Sequence, residues 1–119
     1  MELKVKLWLE KDGKVLFGLG RLELLKAIAE TGSLASAARR LNMSYRAAWG
    51  RLKASEERLG FALLEQAGGR RQGQTLTPRA KQLMAAYERI QAHFEHFLDK
   101  AGHELVVKLE PPEKTGSRL

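Results

Sequence analysis

The 119-residue sequence predicts a mainly α fold with a small β component, and three observations carry that prediction. Residues 32–60 form two capped helical patterns separated by a short break. Residues 78–101 form one long pattern free of Gly and Pro, and short apolar or alternating runs flank both. Together they describe a winged helix-turn-helix with an N-terminal β-hairpin and a long C-terminal dimerisation helix over 78–101. The boundaries are 1–101 for this domain and 102–119 for a tail.

At the N-terminus Leu3, Val5, Leu7 and Leu9 alternate with Lys4, Lys6, Trp8 and Glu10, the period of a strand with one buried face. Asp12-Gly13 favours a tight turn, and Val15 to Phe17 supply the return strand. Trp8 falls on the polar face. It either covers a partner surface or is a half-exposed strand aromatic, the second being favoured. A helix from Arg21 to Glu30 follows, with Leu22, Leu25 and Ala29, joined by Leu24 and Ile28, in a broad apolar stripe that ends at Thr31-Gly32.

Ser33 caps the next helix, where Leu34, Ala37, Ala38 and Leu41 share one face. Leu41-Asn42-Met43 breaks the pattern. Ser44 caps a helix that runs to Leu59, with Gly60 as the left-handed stop. Ala48, Leu52 and Leu59 point inward, and the alanines allow two helices to cross closely. Tyr45, Arg46, Trp49, Arg51 and Lys53 occupy the other faces, mostly in the N-terminal half that a helix-turn-helix presents to base edges.

Beyond Gly60, Phe61–Gln66 and Thr75-Leu76 are short strand candidates joined by a Gly-rich loop holding Arg70 and Arg71, the pattern of a wing. The alternative is a surface loop with incidental arginines. Thr77-Pro78 is a strong helix start. From there Ala80, Leu83, Tyr87, Ile90, Phe94, Phe97 and Ala101 recur in steps of three and four, a heptad seam over about 36 Å at 1.5 Å per residue. So long a seam is expected to pair with a second copy, so Leu83, Tyr87, Ile90, Phe94 and Phe97 are the predicted dimerisation residues. Packing within the monomer is the alternative. The tail contains a strand-like Leu105-Val106-Val107 and Pro111-Pro112.

Net charge sharpens the functional expectation. Ten basic and three acidic residues lie between Arg39 and Lys81, which accounts for the whole excess of +7, because the remaining eleven basic and eleven acidic residues cancel. Such segregation suits a polyanion surface. There is no Cys, so disulfides and thiolate metal sites are excluded. No run approaches the roughly 20 apolar residues of a membrane span, and no signal-peptide core is present, so a soluble cytoplasmic protein is expected. His93, His96 and His103, with Glu95 and Asp99 nearby, lack a third ligand at fixed spacing, so no metal and no cofactor is expected.

Leu24-Leu25-Lys26-Ala27-Ile28-Ala29 followed by Gly32-Ser33-Leu34, then Ser44-Tyr45-Arg46-Ala47-Ala48-Trp49, and finally the wing ending in Leu76-Thr77, closely resembles the N-terminal DNA-binding domain of ModE-type molybdate-responsive regulators. The helix-turn-helix is similar, more loosely, to that of LysR-type regulators. The resemblance covers most of residues 3–100. It implies a winged-helix homodimer that binds a pseudo-palindromic operator and regulates transcription. In full-length ModE-type proteins molybdate is held by separate domains after the long helix. This sequence stops near that point, so the resemblance implies the stand-alone DNA-binding variety, with effector sensing left to a separate partner.

The expected partner is double-stranded DNA. Tyr45, Arg46 and Arg51 are the candidate base readers, Ser33, Ser36, Ser44 and Lys53 the candidate phosphate contacts, and Arg70 and Arg71 reach the adjacent groove or backbone. Trp49 is either a core plug, which is favoured, or a contact to sugar or a thymine methyl. Two other classes compete. A protein-interaction adapter would use the seam and hairpin and leave the basic face idle. An enzyme is disfavoured, because no Cys, no His–carboxylate cluster, no phosphate loop and no nucleophile turn is present.

Overall fold

The computed structural model of the chain describes residues 1–66 and 73–111. The elements follow in the order β1 (Trp8–Lys11), β2 (Lys14–Gly18), α1 (Leu19–Thr31), α2 (Leu34–Arg40), α3 (Tyr45–Leu59), β3 (Leu64–Gln66), β4 (Gln74–Leu76) and α4 (Pro78–Leu109). β1 pairs antiparallel with β2, and β3 with β4. The chain divides into two compact units: Leu7–Glu88 carries both sheets, α1 to α3 and the start of α4, while Met1–Lys6 and the chain from Arg89 onward form the other.

Asp12 and Gly13 both adopt positive φ, 52° and 78°, the two-residue turn whose twist suits a hairpin. Trp8 pairs with Gly18 and Leu9 with Phe17, but Glu10 pairs with Val15, so Leu16 is an extra residue on β2. The buried Ser55 hydroxyl of α3 donates to the Leu16 carbonyl at 2.6 Å, satisfying a group that the bulge leaves outside the ladder. The alternation over 3–9 predicts a longer strand than forms. β2 passes into α1 after Gly18, so residues upstream of Trp8 have no partner backbone. Trp8 is half-exposed, and its indole N–H donates to Glu10 at 2.6 Å.

Five of the helix boundaries have a local cause in caps or glycine stops, at Gly32, Ser33, Ser44, Gly60 and Thr77. Gly32 and Gly60 sit at φ 88° and 84°, and their N–H groups donate to Ile28 and Glu56 carbonyls to close α1 and α3. The Ser33 and Ser44 hydroxyls accept from the N–H groups of Ser36 and Ala47 at the starts of α2 and α3. Between them Asn42 takes φ 60°, a left-handed conformation that Asn tolerates better than most residues. Ala37, Ala38 and Ala48 are all buried, so α2 and α3 cross with little side chain between them.

Phe17, Leu24, Leu25, Ile28 and Leu63 are the large apolar side chains at the centre of the first unit. Tyr87 stands edge-on to Phe17, with centroids 5.3 Å apart, and its hydroxyl donates to the Leu7 carbonyl at 2.8 Å. The strand expected from Phe61 begins only at Leu64. The Phe61 ring instead lies under the Arg79 guanidinium, 4.0 Å from its centroid. Thr77 caps α4 by accepting from Ala80 N–H, while its own hydroxyl donates to the Ala62 carbonyl.

α4 continues to Leu109, eight residues past the expected end, and Leu105-Val106-Val107 are helical, not strand or tail. A single interior Gly costs a helix only about 1 kcal/mol, which is too little to stop one this long. Within the second unit Gly102 also makes room for Leu3: a Cβ there would stand 3.3 Å from that of Leu3. No helix among the described residues is long and apolar enough to cross a membrane.

Candidate nucleic-acid interface

Helical geometry distributes the side chains of α3 over three faces at 100° per residue. Ala48, Leu52 and Ser55 face the core. Arg46 and Gly50 lie nearly opposite them, both exposed. Tyr45, Trp49 and Lys53 form a flank toward β3 and β4, where with Leu34, Glu65 and Gln74 they line a shallow groove of about 380 Å³. Arg51 and Arg58, two turns apart, form the opposite flank.

Trp49 is the clearest departure from the sequence reading. The indole is 48 % exposed and does not plug the core, and the Lys53 ammonium lies 5.6 Å from its ring centroid. The inward role belongs to Ala48, one residue earlier. Tyr45 is 51 % exposed beside it, so an aromatic pair flanks Arg46 on the N-terminal half of the helix. Counting 100° steps from the buried Leu52 puts Trp49 well off the inward direction, a signal that was present in the sequence.

Lys53 is less free than expected, since Glu56 Oε1 lies 3.1 Å from its ammonium. Glu56 in turn accepts from the Leu63 N–H at 2.7 Å and sits over the entry to β3. Burial raises the Glu56 pKa, but the Leu63 N–H and Lys53 outweigh it, so the carboxyl lies below its ordinary value.

Ser33 and Ser36 come together at the start of α2: Ser33 caps it, and the Ser36 hydroxyl accepts from Arg39 at 3.2 Å. Ser44 lies at the start of α3. Arg51 is not brought together with Tyr45 and Arg46. Its guanidinium lies over α1, with Nη1 3.9 Å from where a Gly20 Cβ would sit. Arg70 and Arg71 lie outside the described residues.

The α4 seam divides between the two units. Leu83 is half-buried against the core and Tyr87 is buried within it, so both are occupied inside their own chain. Ile90, Phe94 and Phe97 are exposed at 52, 44 and 61 %. His93 and His96 share that stretch, and no group of three or more metal-ligating side chains occurs among the described residues.

The pattern of the bacterial regulatory helix-turn-helix protein, lysR family, matches residues 19–81, from the start of α1 into α4. The chain belongs to this family. Among curated relatives of this lysR-family chain, the molybdenum-pterin-binding protein MopB of Rhodobacter capsulatus is 36 % identical over 107 residues, covering 88 % of this chain and 38 % of the relative. The transcriptional regulator ModE of Haemophilus influenzae is 40 % identical over 83 residues, covering 66 % of this chain and 32 % of its own length. The chain thus spans about a third of the curated relatives it matches. Among solved structures, CbnR_DBD in a DNA complex superposes with TM-score 0.57 at 28 % identity, covering 72 % of this chain and 95 % of that one. The fold is a winged helix-turn-helix.

Proposed function

We propose that this lysR-family chain is the DNA-binding part of a ModE-like transcriptional regulator, acting as a homodimer on a pseudo-palindromic operator. The observation that carries the reading is the outer face of α3. Arg46, Tyr45 and Trp49 are exposed together on the N-terminal half of a helix whose start is fixed by Ser44 and whose back is fixed by Ala48 and Leu52. Arg46 offers a bidentate fork to guanine, and the two aromatics offer apolar edges to thymine methyls or sugars. Ser33, Ser36, Ser44 and Lys53 supply phosphate contacts that fix register. Arg70 and Arg71 extend the contact along the backbone.

DNA complexes of a lysR-family relative and the molybdenum-linked names of the curated relatives support this reading. Ile90, Phe94 and Phe97 supply the pairing surface between copies, and a two-fold pair sets the two α3 helices on half-sites about one helical turn apart. Gene control in the cytoplasm, without a catalytic step, is the role that follows.

Selection of bound fragments from random duplex DNA tests the proposal. The expected product is a pseudo-palindrome whose affinity falls steeply between about 50 and 200 mM salt. Recovery of unenriched sequence with salt-insensitive retention would sink it and favour an apolar adapter role.

A further inference from the structure

The flank of α3 that faces the hairpin carries positive charge that the reading helix itself does not use. Arg51 and Arg58 sit seven residues apart on one stripe of α3, and Arg21, in the first turn of α1, is close enough to feel the charge of both. Arg58 is pinned, because its Nη1 donates to the Val15 carbonyl of β2 at 2.6 Å. Arg51 is laid over the backbone of Gly20, where any side chain would come within 3.9 Å of Nη1. Arg21 Nε is buried and has no hydrogen-bond partner among the described residues.

None of the ion pairs among the described residues includes any of the three. Three guanidinium groups gathered without a carboxylate repel one another, and an orphaned buried donor adds its own desolvation cost. The direction of the Arg21 pKa agrees: burial lowers it first, then the charges of Arg58 and Arg51. An oxyanion relieves the mutual repulsion, since tetrahedral phosphate oxygens accept from several guanidinium forks at once.

We propose that Arg21, Arg51 and Arg58 form a second phosphate site on the hairpin flank of α3, which takes a phosphodiester of the DNA backbone on the side of the major groove away from the wing. The proposal rests on the DNA-binding reading above and adds to it. With the serines and Lys53 on the wing side and this site on the other, the reading helix is held by the backbone on both of its flanks. Arg51 thereby acts as a phosphate contact and not as a base reader.

Binding of the full chain to a short random-sequence duplex and to its selected operator, followed by anisotropy across a salt series, tests the site. Arg21→Gln and Arg51→Gln should each weaken both duplexes alike and reduce the slope of log affinity against log salt by roughly 0.9, the value of one phosphate contact. The melting temperature of Arg21→Gln should hold or rise, because the repulsion is relieved. Wild-type slopes in both variants, alongside lost binding in Arg46→Ala, overturn this site and leave the DNA reading intact. Absence of duplex binding by the wild type overturns the DNA reading itself and with it the phosphodiester assignment. Inorganic phosphate separates the sources: a phosphate-dependent rise in melting temperature that Arg21→Gln abolishes, with an unchanged duplex slope, assigns the site to a free oxyanion and overturns the backbone proposal.

Discussion

Gln74 on β4 is bonded to the start of α2 twice over. Its side-chain carbonyl accepts from Leu34 N–H at 2.9 Å, and its own backbone N–H donates to Gly32 O at 3.0 Å. The wing strand therefore satisfies the first N–H of α2 and the carbonyl of Gly32, the residue that closes α1, one orphaned group from each helix end. One side-chain and one backbone hydrogen bond thus hold the wing strand against the junction that leads into α2.

The neighbouring Gly73 makes this junction sensitive to a single methyl. It has φ +77°, and a Cβ there would stand 2.2 Å from the Gly32 oxygen, a distance no contact tolerates. Gly73→Ala should cost at least roughly 1–2 kcal/mol from the left-handed conformation alone, with the clash added. Thermal unfolding should show a drop of several degrees. A melting temperature equal to wild type would mean that the wing is not docked on Gly32.

Glu56 gives a pH-dependent test. Its folded pKa lies below its ordinary value, because the Leu63 N–H and Lys53 favour the carboxylate despite burial. The folded state therefore binds the proton less readily than the unfolded chain. The stabilisation is complete above the ordinary carboxylate range and is lost as pH falls through the lowered folded value. Glu56→Ala should cost about 1–3 kcal/mol near neutral pH by leaving Leu63 N–H unsatisfied. The gap from wild type should narrow as the solution is acidified, and denaturant melts across the acid range would reveal a constant gap if the assignment were wrong.

Much of this arrangement was legible in the chain, and the failures share a cause. Ser33, Ser44, Gly32, Gly60 and Thr77-Pro78 marked helix ends correctly, because caps act through adjacent backbone and need no tertiary information. Asp12-Gly13 marked its turn for the same reason. Alternation over 3–9 predicts a longer strand than Trp8–Lys11 because it says nothing about the length of the partner. Gly102 reads as the end of α4 because composition does not show Leu3 lying against that glycine. A two-faced reading of α3 puts Trp49 in the core, whereas the packing of α1, the hairpin and the wing gives the helix three faces and leaves the indole half in solvent.

Base readout should separate from backbone contact on α3. Arg46 is exposed opposite the core and carries no ion pair among the described residues. Arg46→Ala should cost on the order of 1–3 kcal/mol on the selected operator and relax preference at one base position. Trp49→Ala should likewise lower operator affinity without lowering the melting temperature, since the indole is half in solvent. A large fall in melting temperature for Trp49→Ala would return that residue to the core, and equal losses on operator and random DNA would remove Arg46 from base reading.

The two parts of the α4 seam should respond differently to substitution. Tyr87 is buried against Phe17 and donates to Leu7, so Tyr87→Phe should cost roughly 0.5–1.5 kcal/mol of stability and leave association unchanged. Phe94 and Phe97 are exposed, so Phe94→Glu with Phe97→Glu should leave the fold of each chain intact while shifting the sedimentation mass toward one copy. Loss of pairing should also reduce operator affinity far more than random-duplex affinity, because two half-sites are then no longer bound as one ligand. A double variant that keeps the wild-type mass would place the pairing surface elsewhere, while a single-copy wild type would remove the dimer from the mechanism.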